Sequence, residues 1–279
     1  MNKDTIGFIG GGNMARAIAG GLIAGGFDPA SIRIADPHAG QREKLQRDLP
    51  GTQVTADNAI VAAQSACVVL AVKPQMLAAV CRDLREVIQE NRPLVVSIAA
   101  GVRSADIDAW LGGGLAIVRV MPNQPALRRR GVSGLYANER TATGDIDRAC
   151  DIISAVGEVV RVPREADIDA VTAISGSGPA YFFLLIDMLE ETAVELGLDP
   201  DAAARLALET ARGSAELAAA SGEPMDALIT RVRSPGGTTA AALDRLEAAG
   251  VRAIFRAAFE AARDRAVELA DRAHADSES

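Results

Sequence analysis

From Thr5 to Val162 the chain alternates short β-branched runs with helical stretches: TIGFIG (5–10), IRIAD (32–36), CVVLAV (67–72), LVVSIA (94–99) and AIVRVM (116–121). Strands separated by helices predict βαβ units, a mostly parallel sheet and right-handed crossovers. Two further runs, VSGLYA (132–137) and EVVRV (158–162), are expected to close that sheet. After Pro163 the alternation stops, and Ala, Leu, Glu and Arg, which favour helix, dominate from Glu165 on. Breaks at SGSGP (175–179), GLDP (197–200), SGEP (221–224), SPGG (234–237) and AAG (248–250) divide this half into five or six helices. The expected organisation is an α/β domain over residues 1–163 followed by an all-α domain over residues 164–279. Alanine-rich helices of weak amphipathicity bury little surface alone, so the second domain is expected to pair with another copy.

Composition narrows the function classes. With 279 residues, 49% hydrophobic and 24% charged, the chain reads as a soluble globular protein with a sizeable core. A formal charge of −8 argues against a nucleic-acid partner or an anionic membrane surface. Arg128, Arg129 and Arg130 form the only basic run, which reads as a solvated loop. Three cysteines, Cys67, Cys81 and Cys150, make no C-x-x-C pair and are expected as reduced thiols of a cytoplasmic protein. His38 and His274 are the only histidines, which weighs against a zinc site or a Ser-His-Asp triad; no metal is expected. The opening MNKDTIGFIGGG enters a strand pattern without a signal-peptide core, and no stretch is expected to span a membrane.

Gly10-Gly11-Gly12-Asn13-Met14-Ala15 is a G-x-G-x-x-A stretch that follows a strand and opens a helix. Gly10 permits the tight turn, Gly12 lets a pyrophosphate approach the backbone, and Ala15 allows close helix–strand packing. The helix N-terminus then offers free N–H groups and a favourable dipole to phosphates. Asp36 closes the second strand, where a carboxylate would accept both ribose hydroxyls and favour NAD over NADP. Arg33, His38 and Arg42 lie close by in sequence, so the choice between NADH and NADPH stays open. AVKPQ (71–75), SIAAGV (97–102) and MPNQPA (121–126) end other strands at the edge where open α/β sheets bind ligands. Lys73 there reads equally as an ion-pair partner or a site residue, and Asn123 is expected to contact the nicotinamide or the substrate.

In the helical half, Ser175-Gly176-Ser177-Gly178-Pro179 and Ser234-Pro235-Gly236-Gly237-Thr238-Thr239 each precede a helix. Each is expected to present free backbone N–H groups, small side chains and hydroxyls, the ingredients of an anion site that needs no arginine. Singly, each would read as an N-cap. Together, with paired glycines, they point to one small carboxylate.

FIGGGNMARAIAGGL, AVKPQ, SIAAGV, MPNQPA, AISGSGPAYFF and SPGGTT stand in an order and spacing that resembles the pyrroline-5-carboxylate reductase family, from about residue 5 to residue 270. SGSGPAY and SPGGTT carry the specificity of that resemblance. It implies a Rossmann-type domain followed by an all-α dimerisation domain. It implies reduction of Δ1-pyrroline-5-carboxylate to L-proline with NADPH or NADH. It also implies homodimers with interlocked helical domains, often assembled further into decamers. By the same resemblance Gly10, Gly12, Asn13 and Met14 would hold the pyrophosphate, and Asn58 would approach the adenosine. Ala71, Val72, Lys73 and Pro74, with Ala99 and Ala100, would line the nicotinamide ribose. Ser175, Gly176, Ser177 and Gly178 would bind the substrate carboxylate with Gly236, Gly237 and Thr238, and Thr239 would hydrogen-bond the ring nitrogen. Gln124 departs from the threonine usual in that motif, Arg233 stands where a small residue is common, and Asp36 puts the family's frequent NADP preference in question.

The residue inventory suits that chemistry. A protonated cyclic imine is already electrophilic, so hydride addition needs positioning more than a strong acid. A β-hydroxyacid dehydrogenase would place a lysine in the helical half, and this chain has none after Lys73. Another C=N reductase or a deazaflavin-linked NADP reductase is an alternative of the same architecture. A non-catalytic dinucleotide-binding module would leave SGSGP and SPGGTT without a role.

Overall fold

The computed structural model describes residues 5–278; Met1–Asp4, at the start of the opening strand pattern, and Ser279 lie outside them. Eight strands form one sheet: β1 (Ile6–Ile9), β2 (Ile32–Ala35), β3 (Gln53–Thr55), β4 (Cys67–Leu70), β5 (Leu94–Ser97), β6 (Ile117–Met121), β7 (Gly131–Ala137) and β8 (Gly157–Arg161). Their order is β3-β2-β1-β4-β5-β6-β7-β8. The first six run parallel, β7 is antiparallel to β6, and β8 is parallel to β7. This is a Rossmann-type doubly wound sheet whose strand order reverses between β1 and β4. β3 has no counterpart in the sequence reading: three residues beginning with glutamine are too short for a period-two pattern to show.

Helices cover both faces. On one, α1 (Asn13–Ala24) and α6 (Thr143–Ser154) bury Ile18, Leu22, Ile152 and Ile153 against Ile6, Phe8, Ile34 and Val96. On the other, α3 (Asn58–Ala63), α4 (Pro74–Asn91) and α5 (Ser104–Trp110) cover Ile9, Val68, Leu70 and Val95. Leu77, Cys81, Leu84 and Ile88 of α4 recur at intervals of four, three and four, the stripe that seats an amphipathic helix on a sheet. Between β2 and β3 lies α2 (Ala39–Asp48).

The remaining chain is helical: α7 (Asp167–Val171), α8 (Gly178–Glu195), α9 (Pro200–Ser221), α10 (Met225–Val232), α11 (Thr238–Ala248) and α12 (Val251–Glu278). Four of the five expected breaks fall between helices. The fifth does not: SGSGP lies inside a continuous helix, Asp167–Glu195, whose turn over Thr172–Gly176 is π-helical. That helix is long and apolar enough to cross a membrane by length and composition, contrary to the sequence expectation.

Two compact units result. Residues up to Ser177 and from Ala262 onward form one, and Gly178–Ala261 the other, whereas the strand pattern alone ends at Pro163. α7 stays with the sheet because Arg119 of β6, buried, lies 3.3 Å from Glu165 and 3.7 Å from Asp169. Glu165 also accepts from the backbone N–H and hydroxyl of Ser104, at 2.6 and 2.8 Å. The end of α12 joins α5 through Arg103–Asp271 and His274–Asp106 contacts, both 2.5 Å. In the other unit α8 packs on α9, yet only Gly178, Ala203 and Ala207 are buried. Phe182, Phe183, Leu184, Leu185, Met188 and Leu189 of α8 are all exposed.

Burial raises the Asp169 carboxyl above its ordinary range, with Arg119 opposing. Arg119→Met removes the buried guanidinium that lies between the Glu165 and Asp169 carboxylates. Breaking such a pair one-sidedly costs about 3–5 kcal/mol. Urea unfolding is expected to show a loss of that order at neutral pH that shrinks in acid, where Asp169 takes up its proton. An unchanged midpoint would show that α7 is held otherwise.

Candidate active site

Parallel strands carry their C-terminal ends to one edge, so the β1–α1, β2–α2, β4–α4 and β5–α5 turns gather there. Gly10 adopts φ +98, and an added Cβ would sit 2.8 Å from the Ala71 carbonyl oxygen. Its N–H donates to the Ala35 carbonyl at 2.8 Å, which ties the glycine turn to the end of β2. A side chain at Gly11 would collide with Leu45. Gly12 differs, because an added Cβ would meet nothing within 4 Å. It is the N-cap of α1, with no side-chain cap and no acidic residue in the first turn. Uncapped amides beside open space fit a pyrophosphate. Asn13 and Met14 supply the first of those amides, and Ala15 is buried against the sheet as expected.

Asp36 is buried, and its carboxylate faces the loops rather than open solvent. Oδ2 accepts from the Gly11 N–H and Oδ1 from the His38 N–H, both at 3.0 Å. Its first role is to brace the glycine turn, which the sequence reading, aimed at the ribose hydroxyls, did not anticipate. Arg42 donates to the carbonyls of Asp36 and Pro37, at 3.0 and 2.8 Å, and so places a guanidinium at the end of β2. Gln41 donates to the Gly11 carbonyl and closes the loop from the α2 side.

Along the same edge, Ala71 continues β4 by donating to the Ile9 carbonyl at 2.8 Å. Val72 follows, Lys73 is the N-cap of α4 and Pro74 its first residue. Lys73 is exposed and makes no ion pair among the described residues. Beyond β5, Ala99 is buried and Ala100 exposed. Asn58 begins α3, whose N-cap Asp57 accepts from Ala59 and Ile60 at 2.8 and 3.3 Å. Cys67 and Cys81 are free and buried, and burial pushes both thiols up to about 12, so neither is a nucleophile.

The two glycine-bearing segments of the helical half differ from each other. Ser175 and Gly176 end the π turn, Ser177 caps it and Gly178 opens α8, so the segment is not a free helix start. The Ser177 N–H is engaged by the Thr172 carbonyl at 2.8 Å, and Ser175 Oγ donates to the Val171 carbonyl at 3.1 Å. The expectation of free amides there gives way to a π turn, a feature frequent at functional sites. At Gly176 an added Cβ would lie 2.6 Å from Met121 Cε, the flexible end of a side chain from β6, so the segment packs closely there. Asn123 donates to the Ser175 carbonyl at 3.1 Å and accepts from the Val132 N–H at 3.0 Å.

SPGGTT behaves as expected. Gly236 has φ +70, and the Gly237 N–H donates to the Ser234 carbonyl at 3.0 Å, a turn in which proline precedes a left-handed glycine. Gly237 is the N-cap of α11 and no side chain caps that helix. The α11 ladder begins with the Ala241 N–H donating to the Gly237 carbonyl at 3.2 Å, so the amides of Thr238 and Thr239 precede it. That open end lies beside the Thr238 and Thr239 hydroxyls, with no side chain capping it.

Comparison with known proteins places this arrangement. A family profile described as pyrroline-5-carboxylate reductase dimerisation matches residues 165–269, and one described as NADP oxidoreductase, coenzyme F420-dependent, matches residues 5–101. The second covers the nucleotide half alone. The pyrroline-5-carboxylate reductase of Pseudomonas aeruginosa is 45% identical over 97% of this chain and 98% of its own. A solved pyrroline-5-carboxylate reductase from Coxiella burnetii superposes with a TM-score of 0.92 at 41% identity, covering 96% of this chain and 99% of that one. The Plasmodium falciparum pyrroline carboxylate reductase, solved with NADP bound, gives 0.83 at 28% identity over 95% and 98%. A doubly wound sheet with an open glycine turn, a helical dimerisation region and relatives matched end to end make this chain a member of the pyrroline-5-carboxylate reductase family.

Proposed function

We infer that the chain reduces Δ1-pyrroline-5-carboxylate to L-proline with NADPH or NADH, the last step of proline biosynthesis. The observation that carries this reading is the uncapped start of α11 behind a left-handed Gly236, joined to a full-length family match. Bound NADPH or NADH supplies the hydride. Gly10, Gly12, Asn13 and Met14 hold its pyrophosphate, Asn58 approaches the adenosine, and Asp36 braces the turn they stand on. Ala71, Val72, Lys73, Pro74, Ala99 and Ala100 line the nicotinamide ribose. The inward Asp36 and the nearby Arg42 support acceptance of either nicotinamide.

For the substrate, the backbone of Gly236, Gly237 and Thr238 grips the carboxylate. Ser175, Gly176, Ser177 and Gly178 contribute through hydroxyl and shape rather than through a free helix start. Thr239 orients the ring nitrogen. As the imine carbon gains the hydride, the π pair of the C=N bond becomes the amine lone pair. An iminium protonated beforehand then leaves the protein no acid step to perform, only orientation.

The exposed apolar face of α8 supports self-association through the helical unit, and an interlocked dimer, assembled further into a decamer, is the proposed form. Free thiols support a cytoplasmic setting.

Four outcomes test the reading. Oxidation of NADH or NADPH, followed at the nicotinamide absorbance, should depend on pyrroline-5-carboxylate. Gly237→Val, whose Cβ would lie 2.3 Å from Ser234 Oγ, should abolish turnover with the fold retained; an unaltered rate would remove the carboxylate role. Thr239→Ala should lower kcat by about tenfold, the scale of one hydrogen bond, with cofactor affinity intact; selective loss of cofactor binding would contradict the assignment. Leu185→Glu should shift sedimentation toward the single chain, and an unchanged assembly would place the interface elsewhere.

A further inference from the structure

An α-helix pairs each carbonyl with the N–H four residues on. For Ser175 that residue is Pro179, which has no N–H to give. The Ser175 carbonyl therefore lacks its helical donor by sequence alone. Asn123, buried at the end of β6, supplies one: its Nδ2 donates to that carbonyl at 3.1 Å. Its Oδ1 is fixed in turn by the Val132 N–H at 3.0 Å, which anchors the amide to β7. Both ends of the side chain are thus engaged, and neither is directed to a ligand. The clamp falls on the segment where the ladder is already irregular, with the Ser177 N–H reaching back five residues to Thr172. Gly176 seats that segment against Met121, from the same motif as Asn123.

We propose that Asn123 is a positioning residue: it replaces the donor that Pro179 lacks, and so holds the π turn carrying Ser175–Gly178 in the shape the substrate requires. The inference deepens the reductase reading and rests on it for the substrate. MPNQPA and SGSGPA are, on this account, two halves of one device. Asn123 acts through Ser175 and does not touch the reacting atoms.

The test is Asn123→Asp, which keeps the acceptor for Val132 and removes the donor to Ser175. KM for pyrroline-5-carboxylate should rise about tenfold, while KM for NADPH stays within about twofold. Pro179→Ala supplies a backbone N–H at the missing position. In that background Asn123→Asp should raise the substrate KM by less than about threefold, because the carbonyl has a second donor. Hydrogen exchange over residues 172–178 should quicken in Asn123→Asp and slow again in the double variant, a readout that needs no turnover. An equal rise in both KM values, the same factor in both backgrounds, or unaltered exchange would overturn the proposal. Wild-type protein that does not turn over pyrroline-5-carboxylate would instead defeat the reductase reading, with the exchange result still deciding the clamp.

Discussion

A parallel strand pair cannot be closed by a hairpin, and each crossover must return over a face of the sheet. That constraint organises this protein. It sends β1, β2, β4 and β5 in one direction, so their following turns collect along one edge. Where strand order reverses between β1 and β4, adjacent turns lead to opposite faces and leave a crevice. The glycine turn lies at that point. Asp36 and Ala35, at the end of the neighbouring strand, fix that turn by accepting from the N–H groups of Gly11 and Gly10.

The helical half solves a different problem with the same means. Both of its glycine-bearing segments depart from regular helix, but their hydrogen bonds are completed in different ways. At SPGG the turn closes on itself and leaves the start of α11 uncapped. At SGSGP the helix continues, and the carbonyl that proline orphans is satisfied from outside by an asparagine. Backbone groups that are not paired locally must be paired elsewhere. In this chain that accounting leads from Pro179 to Asn123, more than fifty residues upstream.

The apolar exposure of α8 belongs to the same logic. A helix carrying Phe182, Phe183, Leu184 and Leu185 in succession is hydrophobic all round, and packing on α9 covers only part of it. Such a helix is long and apolar enough to cross a membrane, and it lies in the region matched by the dimerisation profile, residues 165–269. Weak amphipathicity, legible in the sequence, was the signal.

The sequence by itself determined the doubly wound class, seven of the eight strands, the glycine turn and the α11 start. Each is a local matter of β-branched alternation, turn chemistry or capping, readable within a dozen residues. Tertiary structure decided the rest. β3 exists because β2 offers an edge, not because QVT has a pattern of its own. Asp36 turned inward, and Asn123 became a strut, because donors from Gly11 and Val132 came within reach only after folding. SGSGP reads as a helix start when glycine and proline are weighed locally. Its first two residues instead finish a π turn over Thr172–Gly176, where Met121 and Asn123, brought up by β6, supply close packing and a hydrogen bond.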